Sequence, residues 1–146
     1  MQPIWKTTYT VRAYETDAQG VAFPHTLFNY FQVMAGDHAD DLELGFHHVA
    51  EKRLFWVLSR VDLFIRRYPG WRDTVTAETW PKQTHRLLAL RDLAMHAADG
   101  EELVRGTSGW LLVDLDTRRP VRPEPHLEQI PRVRRPEAVT EPPAKV

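Results

Sequence analysis

The sequence predicts an α+β fold: an antiparallel sheet of about five strands curled around one long central helix. Three observations carry that expectation. Residues 26–44 place their apolar side chains at helical spacing. Nearly everything after residue 54 has strand character punctuated by turn residues. A chain of 146 residues also suits a single hydrophobic core.

From Trp5 to Tyr14 the residues alternate, which predicts a first strand. Then Leu27, Phe31, Met34, Ala35, His38 and Leu42 recur at spacings of three and four, on one helical face. Asn29, Asp37, Asp40, Asp41 and Glu43 fall largely on the other sides. His38 shares the apolar face and is expected to be a buried, hydrogen-bonded histidine. Gly45 is the expected stop of this helix, and "FHHVAEKR" a short connection. "LFWVLSRVDLFIRRY" is long and rich in aromatic and branched residues; "YPGWRD" turns; "TVTAETW" alternates. "HRLLALRDLAMHA" fits either period, and reads as strand because "ADGEE" makes a hairpin turn into "LVRGTSGWLLVDLD". Pro120, Pro123, Pro125, Pro131, Pro136, Pro142 and Pro143 crowd the end, where neither a central strand nor a long helix is expected. The division is therefore a domain over 1–125 and a proline-rich tail over 126–146, its last ten or so residues loose.

Composition narrows the function. Net charge is −1, so no global field favours nucleic acid. No apolar run approaches the roughly 20 residues of a membrane helix, and the N-terminus shows no apolar leader segment. Cysteine is absent, which removes disulfides, thiolate metal sites and a cysteine nucleophile; a cytoplasmic location is the default expectation. The seven histidines show no metal-ligand spacing, Ser59 and Ser108 lack a Gly-x-Ser-x-Gly setting, and no phosphate-binding glycine motif occurs. No metal and no cofactor are expected.

The chemistry-bearing stretch is "YETDAQGVAFPHTLFNYFQ", where Asp17 and Gly20 precede a helix start at Pro24-His25. Asp and Gly make turns, and Pro starts helices. A helix start also offers free amides to a developing oxyanion, with a carboxylate beside it as base or nucleophile.

A family resemblance bears on the choice. "FWVLSRVDLFIRRYPGWRDTVTAETW", "LALRDL", "GWLLVDLDTRRPVRP" and "TLFNYFQVMAGDHADDLELG" together resemble the acyl-ACP thioesterase family of the hotdog fold, over roughly Val11 to Pro125. Many members carry two hotdog repeats, with an Asp-x-Asn-x-His-Val-Asn motif in the second. The chain is most similar to the first repeat, and has Asp17, Gln19, Val21 and Phe23 at the positions of that motif's Asp, Asn, His and last Asn. Its loop is also similar to the Asp-x-x-Gly-x-Val-aromatic pattern of single-domain hydroxybenzoyl-CoA-type thioesterases, through Asp17, Gly20 and Phe23, with Ala22 in place of valine.

The resemblance implies Asp17 as nucleophile or general base. Gly20 would admit the thioester, and the oxyanion would be held by the amide of His25 or Thr26 or by the His25 imidazole, since Pro24 has no N–H. Gln32, on the second turn, is either a water-orienting residue or a solvated helix position. Phe28, Phe31, Trp56 and Leu58 would set the acyl pocket. The implied partners are an acyl-ACP or acyl-CoA substrate and a second copy of the chain, as homodimer or homotetramer. Arg60, Arg66, Arg67 and Arg72, with Arg118, Arg119 and Arg122, are either solvated surface or a dock for an acidic carrier protein or coenzyme A phosphates. The alternatives are a hotdog dehydratase or hydratase acting on 3-hydroxyacyl or enoyl thioesters, and a non-catalytic acyl-carrier-binding module.

Overall fold

A computed structural model describes residues 1–131, 133 and 135–144. After β1 (Trp5–Thr10) comes the long helix α1 (Pro24–Asp41), then a short helix α2 (Phe46–Glu51). Strands β2 (Leu54–Ile65), β3 (Thr74–His85), β4 (Leu88–Ala97) and β5 (Glu102–Asp114) follow, with a two-residue β6 (Pro120–Val121). The antiparallel sheet runs β1-β3-β4-β5-β2, and β6 pairs with the end of β5. This is the expected hotdog arrangement, with one strand more than anticipated.

The helix stripe falls where the spacing puts it. Leu27, Tyr30, Phe31 and Met34 pack on Val75, Ala77, Leu93, Met95, Leu103 and Val104 from the strands. Burying such side chains stabilises by about 1.5–3 kcal/mol each. The helix begins at Pro24, the proline start that the sequence offers just ahead of the apolar stripe, in a first turn where a missing N–H costs nothing.

The other end differs from expectation. Glu43 takes the left-handed conformation (φ 57°), while Gly45 (φ −65°) caps the start of α2. Glycine is needed at 45 for space: a Cβ there would fall 1.5 Å from Asp40 Oδ1. "FHHVAE" is a helix rather than a plain connection, and Val49 is its only buried residue. Strand β3 runs past "TVTAETW" to His85, with its register broken between Pro81 and Thr84, where proline cannot donate to the ladder. The "ADGEE" hairpin is present. Ala97 N–H donates to Glu101 O at 2.8 Å, Gly100 N–H donates to Ala97 O at 2.9 Å, and Gly100 takes φ 90°.

Tail residues lie along the sheet face opposite the helix. The Arg135 guanidinium sits 3.9 Å over the Trp80 ring and 3.0 Å from Glu78. Ala138 N–H donates to Asp92 Oδ2 at 2.7 Å, and Ala144 N–H to Asp62 at 3.1 Å. The expected loose end falls in part on residues 145–146, outside the described residues.

Candidate active site

The loop before α1 is built from its own backbone. Asp17 N–H donates to Val21 O (2.8 Å) and Gly20 N–H to Asp17 O (3.0 Å). Gly20 sits at φ 75°, a conformation that L side chains rarely adopt. The Asp17 carboxylate takes part through one oxygen: Oδ1 accepts from Gln19 N–H (2.9 Å) and Val21 N–H (3.0 Å). Its Oδ2 has no partner among the described residues, and the side chain is exposed. The loop is stitched to the β2–β3 connection by Ala22 N–H to Pro69 O (2.9 Å) and Trp71 N–H to Gly20 O (2.8 Å). Asp17 is thus a turn aspartate with one carboxylate edge in solvent.

The helix start is held by Glu15. Its carbonyl accepts from Phe23 N–H (3.0 Å) and from the Thr26 hydroxyl (2.8 Å), and its carboxylate accepts from the Tyr30 hydroxyl. Burial, and then this acceptor, push the Tyr30 phenol well above its ordinary value. Thr26 N–H turns back to Phe23 O at 3.1 Å, and Pro24 has no N–H. The His25 amide is therefore the one N–H of residues 23–26 without an acceptor among the described residues. The His25 ring is exposed and stacks on Phe23 at 4.9 Å.

Two hollows follow along α1. The smaller, about 20 Å³, is lined by Phe28, Phe31, Gln32, Leu58 and Trp110 among others. The larger, about 270 Å³, takes in Gln32, Leu44, Trp56, Leu90, Arg91, Trp110, Leu127 and Ile130. Both share Gln32, Ala35 and Trp110, so they adjoin. Trp56 is fixed there by its indole N–H, which donates to Leu44 O at 2.8 Å. The structure thus places Phe28, Phe31, Gln32, Trp56 and Leu58 around the hollows. Asp17, Gly20, His25 and Thr26 line neither and cluster at the helix start. Of the basic residues, Arg66 and Arg67 face Glu102 (3.5 Å) and Glu101 (2.8 Å), and Arg72 lies 4.4 Å over the Trp71 ring.

Arg91 is a residue of the larger hollow that sequence reasoning passed over. The available signal was its phase: it alternates with Ala89, Leu93 and Met95, so a cation shares the strand face turned to the helix. His38 is buried as expected, and its Nε2 lies 2.7 Å from Gln2 O. No group of three or more acidic or histidine side chains that could hold a metal assembles among the described residues. No helix among them is long and apolar enough to cross a membrane.

A sheet wrapped on one long helix defines a hotdog-fold domain. Residues 2–130 match the acyl-ACP thioesterase N-terminal domain, and the chain belongs to that family. It is 34% identical over 122 residues to an oleoyl-acyl carrier protein thioesterase of Coriandrum sativum, covering 79% of this chain and 33% of that protein. It is also 34% identical over 119 residues to an acyl-[acyl-carrier-protein] hydrolase of Cuphea viscosissima, covering 77% of this chain and 28% of that protein. The chain therefore spans about a third of the length of these relatives. Among solved structures, the 12:0-ACP thioesterase from Umbellularia californica superposes with a TM-score of 0.84 at 26% identity, over 100% of this chain and 61% of that one. A DHNA-CoA thioesterase from Staphylococcus aureus shares the fold, with a TM-score of 0.74 at 18% identity, over 86% of this chain and 84% of that one.

Proposed function

We propose that this chain hydrolyses acyl thioesters to a free acid and the carrier thiol, and that the carrier is acyl carrier protein. The observation that carries the reading is a carboxylate edge without a partner among the described residues, on the loop that leads into α1, followed by an amide without an acceptor among them in the first turn of that helix. Asp17 Oδ2 takes a proton from water as the water oxygen bonds to the thioester carbon. The carbonyl oxygen becomes an oxyanion against the His25 N–H, at the positive end of α1. When the carbon–sulfur bond breaks, the carbonyl re-forms and the proton held by Asp17 passes to the departing thiolate. The acyl chain then runs along α1 into the hollows bounded by Phe28, Phe31, Trp56 and Leu58, with Gln32 between them.

A second copy completes the site in this proposal. Strand β2 has 12 residues and, among the described residues, pairs on one side only, with β5. Such a long edge is stabilised by pairing with its equivalent in another copy, which makes a homodimer; we place it in the cytoplasm, in keeping with a cysteine-free chain. Light scattering on the active species is expected to give at least twice 17.0 kDa, and an active monomer would refute the shared site.

A second reading, a non-catalytic acyl-binding hotdog, is favoured by the match to an N-terminal domain and by Val21 where the family motif has histidine. A hydrolysis screen over acyl-ACP and acyl-CoA substrates of graded length separates the two. Turnover supports the enzyme, and tight binding without turnover of any substrate supports the module.

A further inference from the structure

Arg91 carries a charge that no described residue answers. Its Nη1 donates to His38 Nδ1 (2.9 Å) and to Thr79 Oγ1 (3.3 Å). Both partners are neutral, and the hydrogen-bond chain fixes why. Gln2 O can only accept, so His38 Nε2 bears the ring hydrogen and Nδ1 offers a lone pair. The Thr79 hydroxyl donates to Asp92 O at 2.9 Å and so accepts from the arginine. No carboxylate among the described residues pairs with Arg91. Asp41, the acidic group that acts on His38, is engaged by the Gln2 amide and the N-terminal amine. Lys82 lines the same hollow and makes the contrast plain: it has Asp92 at 3.0 Å and Glu137 at 3.6 Å.

A cation drawn partly out of water is ordinarily paired, because leaving water without a counter-charge is costly, and Arg91 is half-buried on the wall of the larger hollow. Burial pushes the Arg91 guanidinium down to about 10. With Nη1 spent on His38 and Thr79, the Nε–H and Nη2 hydrogens have no acceptor among the described residues. Those two nitrogens form the side-on edge of the guanidinium, the edge that grips a carboxylate through two parallel hydrogen bonds. The cavity that Arg91 lines holds about 270 Å³, walled by Trp56, Leu90, Trp110, Leu127 and Ile130.

We propose that Arg91 is a carboxylate-binding subsite inside this cavity, for a ligand with an apolar body and one carboxylate in contact with the guanidinium. Two sources supply that chemistry: a free fatty acid, and an acyl thioester with a second carboxylate at its far end. The choice of an acyl body rests on the thioesterase reading above; the anion site rests on the arginine alone.

The test is a binding titration that needs no turnover. Wild-type protein is titrated with dodecanoate and with its methyl ester, which has the same chain and no charge. Dodecanoate is expected to bind roughly ten- to a hundredfold tighter, as for a hydrogen bond to a charged group, and Arg91→Met is expected to erase the preference. Equal affinities in the wild type would overturn the site, and so would a preference that survives in a folded Arg91→Met protein. The wild-type comparison stands even if that variant does not fold. Non-hydrolysable thioethers of dodecanoyl- and ω-carboxydodecanoyl-CoA separate the sources. Tighter binding of the carboxylated one assigns the far end of a substrate; equal binding, with dodecanoate still preferred over its ester, assigns free fatty acid. Absence of hydrolysis of every thioester would remove the enzymatic reading, while the dodecanoate titration by itself still decides for or against the Arg91 subsite.

Discussion

Asp92→Ala is expected to destabilise the protein by about 3 kcal/mol, toward the low end of the range for breaking a buried ion pair. Lys82 is 5% exposed at its side chain and Asp92 0%, with 3.0 Å between the charges. Asp92 Oδ1 meets the ammonium as a charge contact rather than an aligned hydrogen bond, while Oδ2 holds Ala138 N–H at 2.7 Å. Removing the carboxylate strands one buried cation and one backbone donor. Glu137 at 3.6 Å and the carbonyl of Val139 keep part of the ammonium satisfied, which places the cost near the lower bound. For a chain of this length the loss corresponds to a fall in Tm of about 10 °C. Urea unfolding at fixed protein concentration measures it, alongside the double replacement Lys82→Met/Asp92→Leu. That pair removes the stranded cation but leaves the Ala138 N–H without its acceptor, and is expected to lose about 1–2 kcal/mol, less than Asp92→Ala alone. A single Asp92→Ala variant that loses less than about 0.5 kcal/mol, the scale of an ordinary surface change, would refute the view that this pair is desolvated.

Gly20→Ala is expected to cost about 1–2 kcal/mol of stability from its φ of 75°, because the nearest atom to the new Cβ, Trp71 Cβ at 3.9 Å, is in ordinary contact. Urea unfolding checks it, and a much larger loss would point to packing that the structure does not contain. His38 gives a pH dependence: burial, more than any neighbouring charge, lowers its pKa, so the unfolded chain binds a proton that the folded one refuses. Stability is then full above the unfolded value of about 6.5 and falls as pH drops below it, by at most about 1.4 kcal/mol per pH unit. The difference between wild type and His38→Gln, followed from pH 7 to 5 by denaturant unfolding, is expected to carry that slope; parallel curves would contradict it.

The fold was largely legible because its strongest signals are local. The stripe from Leu27 to Leu42 repeats over four turns, and Asp99-Gly100 marks a hairpin that admits few alternatives. "HRLLALRDLAMHA" stayed ambiguous for a physical reason. Strand β4 is covered on both sides, by α1 on one and by the tail at Asp92–Ala138 on the other, so Leu93, Ala94 and Met95 are buried in succession and the period of two is lost. Helix α2 is six residues long with one buried side chain, too short to show a period. At the candidate site, Asp17 and Gly20 announce a turn by residue type, while the partners that single out the His25 amide depend on Glu15 folding back against the helix start. Arg91 and His38 lie 53 positions apart, and only the register of β4 against α1 brings them together.

Whether Asp17 performs chemistry as well as making a turn is tested most directly by Asp17→Asn. Asparagine keeps an oxygen to accept from the Gln19 and Val21 amides, so the loop hydrogen bonds at 2.9 and 3.0 Å have an acceptor in the variant. What it removes is the charge and basicity of the free edge. Initial rates of acyl-ACP hydrolysis at saturating substrate, with unfolding followed on the same samples, separate the two roles. A catalytic Asp17 predicts unchanged stability within about 1 kcal/mol and turnover lowered roughly 10²- to 10⁴-fold, the range for loss of a positioned base. A variant that is equally stable and hydrolyses acyl-ACP at the wild-type rate would contradict it.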